Sequence, residues 1–79
     1  MTRVLVESST LAAVSYLPEH GILELEFRSR EIYRYFDVPP QIYSELLAAD
    51  SKGRYFNASV RNCFLWQKVD PSSPARTAP

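Results

Sequence analysis

The chain is poor in the residues from which most catalytic and metal-binding sites are built. It holds one cysteine, Cys63, and one histidine, His20. A lone cysteine excludes an intrachain disulfide and a cysteine-based zinc site, and a lone histidine excludes a histidine cluster. No cofactor or metal is therefore expected. Long apolar runs are missing too. Met1-Thr2-Arg3 is followed by only three apolar residues before Glu7, too few for a signal peptide. Nothing approaches the roughly 20 apolar residues of a membrane helix, so the cytosol is the default expectation. Net charge is also absent, with nine basic and nine acidic residues. A strong generic polyanion binder would carry a basic excess.

What is present is aromatic. Five Tyr, four Phe and one Trp stand among 79 residues, a length that makes one domain. Large apolar side chains compensate for the small proportion of surface that so short a chain buries. Charge, though balanced, is uneven. Residues 1–50 carry Arg3, Arg28, Arg30 and Arg34 against eight carboxylates, whereas residues 51–69 carry Lys52, Arg54, Arg61 and Lys68 with none. A local basic patch is compatible with the neutral total.

The hydropathy pattern divides the chain. Residues 1–7 read as a loosely held segment, although Val4-Leu5-Val6 could pair at a sheet edge. Residues 10–17 fit a strand with Ala12, Val14 and Tyr16 on one face. Pro18-Glu19-His20-Gly21 reads as a turn, with Gly21 free to take positive φ. Residues 22–28 alternate cleanly, with Leu23, Leu25 and Phe27 inward and Glu24, Glu26 and Arg28 outward. After Ser29-Arg30, residues 31–36 allow two facings. Either Tyr33 and Tyr35 point inward, or Ile32 and Phe36 do with Arg34 between them. Burying Arg34 unpaired costs several kcal/mol, whereas a tyrosine hydroxyl reaches the edge of a core, which favours the tyrosines.

Pro39-Pro40 suits a first helical turn, where a missing N–H has no partner to lose. Ile42, Tyr43, Leu46 and Leu47 then form one apolar face of a helix over 40–49. Asp50-Ser51 offers an N-cap for a second helix over 52–61, burying Phe56 and Val60. Residues 63–69 fit a last strand or an extended packing arm. The Pro-rich residues 70–79 read as a disordered tail. The fold class is α+β: an antiparallel three-stranded meander, then two short helices packed on one face, with room for a fourth, C-terminal strand.

Ser8-Ser9, Leu23-Glu24-Leu25-Glu26-Phe27-Arg28, Tyr33-Arg34-Tyr35-Phe36-Asp37-Val38-Pro39 and Ser51-Lys52-Gly53-Arg54-Tyr55-Phe56-Asn57 together resemble the KTSC domain. That short module is named for its occurrence at the C-terminus of some lysyl-tRNA synthetases, and it also occurs in free-standing small bacterial proteins. The resemblance covers residues 8–69, and its synthetase context implies RNA as a partner. The family tends to have glycine before Tyr-x-Tyr, where this chain has Ser29-Arg30; tight hairpin turns want positive φ there.

Each candidate site has a plainer alternative. Tyr33 and Tyr35 could be stacking platforms for bases, or core residues. Lys52, Gly53 and Arg54 could hold a phosphate at a helix start, or form an ordinary helix junction, with Tyr55 beside it. Arg61 and Lys68 extend that patch, or keep the surface soluble. Glu24 and Glu26 are most simply explained by pairing with Arg28 and Arg34 across strands. Cys63 and His20 form no nucleophile–base pair, and Cys63 reads as a small apolar filler. No enzyme and no small-molecule substrate are indicated. Two functions remain: a nucleic-acid module using residues 51–69 with Arg34, or a protein-interaction or self-association module. The second would use exposed Ile32, Phe36, Phe64 and Trp66.

Overall fold

The computed structural model describes residues 2–69. Its order is β1 (Thr2–Leu5), β2 (Leu11–Leu17), β3 (Ile22–Phe27), β4 (Ile32–Tyr35), α1 (Pro40–Ala48), α2 (Lys52–Ser59) and β5 (Trp66–Val69). The strands form one antiparallel sheet in chain order, β1-β2-β3-β4-β5. The α+β class is as expected: β2 to β4 are the three-stranded meander, β5 is the fourth, C-terminal strand, and β1 adds a fifth. Before residue 8, β1 pairs with β2 at the sheet edge, placing Val4 opposite Val14. At the other edge, the region read as strand or packing arm is a strand. Phe36 N–H donates to the Leu65 carbonyl at 2.9 Å, extending the pairing of β4 with β5. The tail expected over 70–79 lies outside the described residues.

The facing of β2 departs from simple alternation. Leu11 is opposite Phe27 and Ala13 opposite Glu26, so a bulge accommodates Ala12 as the extra residue. Leu11 therefore joins Val14 and Tyr16 in the core, and Ala12 is only half-buried. The β2–β3 turn needs its glycine twice. Gly21 has φ +63°, and its carbonyl accepts from Val38 N–H at 2.8 Å. A Cβ there would stand 3.4 Å from the Val38 backbone. The β3–β4 turn achieves the same reversal without glycine. Arg30 takes φ 77°, its N–H donates to the Phe27 carbonyl at 2.9 Å, and Phe27 N–H donates to the Glu31 carbonyl at 2.8 Å. This is a three-residue hairpin loop whose last residue is left-handed.

The helices cover one face of the sheet. Leu11, Val14, Leu23, Leu25, Tyr35, Val38, Leu46, Phe56 and Val60 form the buried centre. Each fully buried aliphatic among them stabilises the fold by roughly 1.5–3 kcal/mol. Tyr43 on α1 stacks on Tyr16, with ring centroids 5.0 Å apart, and the Tyr16 hydroxyl donates to the Val38 carbonyl. α2 starts as its sequence indicates, since Ser51 Oγ accepts from Arg54 N–H at 3.3 Å. It ends two residues before the expected boundary. Cys63, expected as apolar filler, is exposed because it follows the helix on the solvent side.

The opposite face carries a charge lattice. Arg34 on β4 grips Glu24 on β3 through Nη2 at 2.8 Å and Nε at 3.1 Å. Arg3 reaches from β1 past β2 to Glu26 on β3, at 2.8 Å. That span is open because the intervening β2 residues on this face, Ala13 and Ser15, are small; both are buried. Arg28, expected to pair with a carboxylate, instead donates from Nε to the Ser8 carbonyl at 2.7 Å.

Candidate functional site

Register decides what meets on the helix-covered face. One row across the sheet runs Tyr16, Leu23, Tyr35, Trp66, and the next Val14, Leu25, Tyr33, Lys68. Along both rows the residues change from enclosed on β2 and β3 to open on β5, where Trp66 is 53% exposed. α2 does not extend over this margin. A cleft of about 380 Å³ remains between the β3–β5 surface and the C-terminal half of α2.

Five aromatic rings form its apolar wall in a connected series. Trp66 packs against Tyr33 at 5.4 Å between centroids, Tyr33 against Phe27 at 5.5 Å, Phe27 against Phe56 at 5.3 Å, and Phe56 against Tyr35 at 5.8 Å. Three of these pairs pack edge-to-face and the Trp66–Tyr33 pair is tilted, each worth about 0.5–1.5 kcal/mol beyond burial. The polar wall is Thr10, Glu31, Asn57, Arg61 and Asn62. Asn62 sits in the left-handed region at φ 65°, which asparagine tolerates better than most residues. Arg61 leans on Asn57 through a long 3.5 Å contact from Nη1 to Oδ1. Glu31 puts a negative charge on the rim, but Lys68 Nζ lies 3.0 Å from its carboxylate. The Lys68 ammonium, then the Ser29 hydroxyl, hold Glu31 below the ordinary carboxylate value. Tyr35 is pushed up to about 12, first by burial and then by its neighbour Tyr33, with Arg61 opposing. Its hydroxyl is therefore neutral at physiological pH.

The sequence candidates separate into two groups. Tyr33, Tyr35, Arg61 and Lys68 meet at the cleft or its rim. Tyr33 and Tyr35 face inward as argued, and Tyr35 is only 2% exposed. Arg34 does not join them: it lies on the opposite face, held by Glu24. At the start of α2, Lys52 Nζ donates to the Ala49 carbonyl at 3.1 Å. Gly53 is buried, and a Cβ on it would lie 2.5 Å from Thr10 Oγ1 and 3.0 Å from Thr10 Cβ. Its role is close helix–strand packing, which corrects the reading of it as an open approach for an anion. Arg54 is exposed. Tyr55 donates to Glu45 Oε1 at 2.7 Å, and burial, then that carboxylate, push its pKa above the ordinary tyrosine value. The basic stretch is thus no single patch.

Sequence reasoning missed Phe27, Asn57 and Asn62 as site residues and placed Trp66 in a surface patch with Ile32, Phe36 and Phe64. Those three are half-buried; the exposed large apolar residues are Leu5, Leu65 and Trp66. The period-two step from Trp66 to Lys68 was the available signal. It acquires meaning only once β5 is paired with β4.

No helix among the described residues is long and apolar enough to cross a membrane, and no cluster of three or more potential ligands for a metal occurs there. Similar proteins share this frame. The chain is 53% identical over 57 residues to an uncharacterized protein of Stutzerimonas stutzeri, covering 72% of this chain and 80% of that one. It is 40% identical over 63 residues to the lysine–tRNA ligase of a Nostoc species, covering 80% of this chain but 11% of the ligase. The crystal structure of a KTSC domain protein from Yersinia pestis superposes with a TM-score of 0.85 at 33% identity. The match covers 87% of this chain and 97% of that one. The KTSC family profile matches residues 7–64, which take in β2 to α2 with the Tyr-x-Tyr strand and the Ser-Lys-Gly helix start, so the chain belongs to the KTSC domain family.

Proposed function

We propose that this KTSC domain is a non-catalytic binding module for single-stranded RNA, engaged at the cleft between β4, β5 and α2. The observation that carries this reading is the meeting of an exposed Trp66, its neighbour Tyr33 and the cationic Arg61 on one concave surface. Aromatic faces beside a cation are what unpaired bases and their phosphates require. A related sequence within the lysine–tRNA ligases supports an RNA setting. Arg61 is the one cation among the residues that line the cleft, so few phosphates are neutralised and the dependence on salt should be shallow.

The test is fluorescence anisotropy with labelled single-stranded RNA and bulk tRNA at low and near-physiological salt. Saturable binding that Trp66→Ala and Arg61→Glu each remove is the expected result. Absence of binding at about 100 μM protein in low salt overturns it, since non-specific association already reaches that range.

A second reading has its own observation. Leu65 and Leu5 are 76% and 72% exposed, on or beside the two edge strands of the sheet. Strand edges with exposed apolar residues pair readily with another chain. Sedimentation that shows dimers lost on Leu5→Lys or Leu65→Lys would place self-association ahead of RNA.

A further inference from the structure

Resting on the RNA reading, we propose that the cleft is a pocket for a single unstacked nucleobase, whose edge meets Tyr35 and the two asparagines while Arg61 meets its phosphate. Size limits the occupant. At about 380 Å³ the cleft falls at the low end of ligand sites, which span roughly 300–1,000 Å³. A run of stacked bases needs a long surface, whereas only ten residues line this space. One flat ring is the matching shape.

Chemistry narrows it further. The wall from Trp66 through Tyr33 to Phe27 supplies ring surface. Two carboxamides, Asn57 and Asn62, each offer both a donor and an acceptor, the pairing that a base edge presents. Asn57 gives its oxygen to Arg61 and keeps its amide N–H groups for a ligand. The Tyr35 hydroxyl differs from those of Tyr16 and Tyr55. The Tyr16 hydroxyl is bonded to the Val38 carbonyl and the Tyr55 hydroxyl to Glu45, but no hydrogen bond ties the Tyr35 hydroxyl to another described residue. Its ring is held by Phe56, so the hydroxyl is fixed in place on the cleft wall. A rigid, neutral, unengaged hydroxyl is suited to reading a base edge. Glu31 does not repel the phosphate strongly, because Lys68 pairs with it. Arg61 is exposed and positioned beside the cleft mouth, where guanidinium binds phosphate through a fork.

Trp66 is the sole tryptophan, so its fluorescence reports the site directly. The experiment titrates the common nucleoside monophosphates, with ribose phosphate as control, up to about 10 mM, where weak single-nucleotide binding becomes measurable. Saturable quenching by nucleotides but not by ribose phosphate is expected. Arg61→Gln should weaken it by about tenfold, as for loss of a charge-assisted bond. Tyr35→Phe should keep the quenching and flatten any preference among the bases; Asn57→Ala, at an exposed helical position, gives a second reading of that preference if Tyr35→Phe perturbs the fold. Quenching of equal size by ribose phosphate, or none by any nucleotide, overturns the pocket. A parallel titration with intact and abasic RNA strands separates the two levels. Equal affinity for both strands leaves the RNA reading standing and removes the base pocket. Nucleotide quenching without strand binding keeps the pocket and removes the RNA reading.

Discussion

The two halves of the helix-covered sheet face are built on different rules. On β2 and β3 the rows are closed and mainly aliphatic, with Val14 at 1% exposure and Leu23 and Leu25 at 0% beside a buried Tyr16. On β4 and β5 the same rows continue as the buried Tyr35 and then Tyr33, Trp66 and Lys68, which open towards solvent. Stability resides in the first half, and chemistry is available in the second. Aliphatic side chains have no polar end and are best fully enclosed. Tyrosine and tryptophan tolerate a boundary because one end of the ring can remain wet. The molecule therefore keeps a cleft without weakening its core.

Substitution can break this contrast. Leu25→Ala in the closed half should cost about 2–5 kcal/mol, whereas Trp66→Ala should cost within about 0.5 kcal/mol, as at most exposed positions. Urea denaturation of both variants measures the difference; equal costs would mean that Trp66 belongs to the core. Gly53→Ala should destabilise by about 1–3 kcal/mol through overpacking against Thr10. Part of that loss should return in the double variant with Thr10→Ala, read by the same method. Smaller still is the effect of Ser51→Ala, which removes the α2 cap and should cost about 1 kcal/mol. Thermal melting detects it.

High pH sharpens the comparison at one residue. Tyr35 ionises near 12 in the fold against an ordinary 10.0, so the folded state holds its proton more tightly than the unfolded one. The stability this contributes is fully present below about 10 and is lost as pH rises towards about 12. Absorbance of ionised tyrosine, followed beside circular dichroism, should show late titration with unfolding, to which Tyr55, also raised, contributes. In Tyr35→Phe the late step should lose one tyrosine's share of the absorbance.

How much of this was legible in the sequence follows from how local each signal is. The alternation of Leu23, Leu25 and Phe27 named β3, and the cost of burying Arg34 set the facing of Tyr33 and Tyr35. The Ser51 cap located α2. Leu11-Ala12-Ala13, by contrast, is apolar throughout, so nothing in it marks Ala12 as the residue that a bulge takes up. β5 was ambiguous because Trp66, Gln67 and Lys68 are all exposed and Val69 alone is buried, which leaves no buried periodicity to read. The cleft was invisible for a deeper reason. Thr10, Phe27, Asn57 with Asn62, and Trp66 come from four separate stretches of chain, and only register and the short α2 bring them together.

The order of strands in the sheet matches their order in the chain. During synthesis, β1 to β4 and both helices leave the ribosome before β5. The closed half of the sheet face is therefore encoded entirely upstream of Trp66. A chain stopped before β5 would carry every residue of that half and lack the outermost ring of the cleft wall.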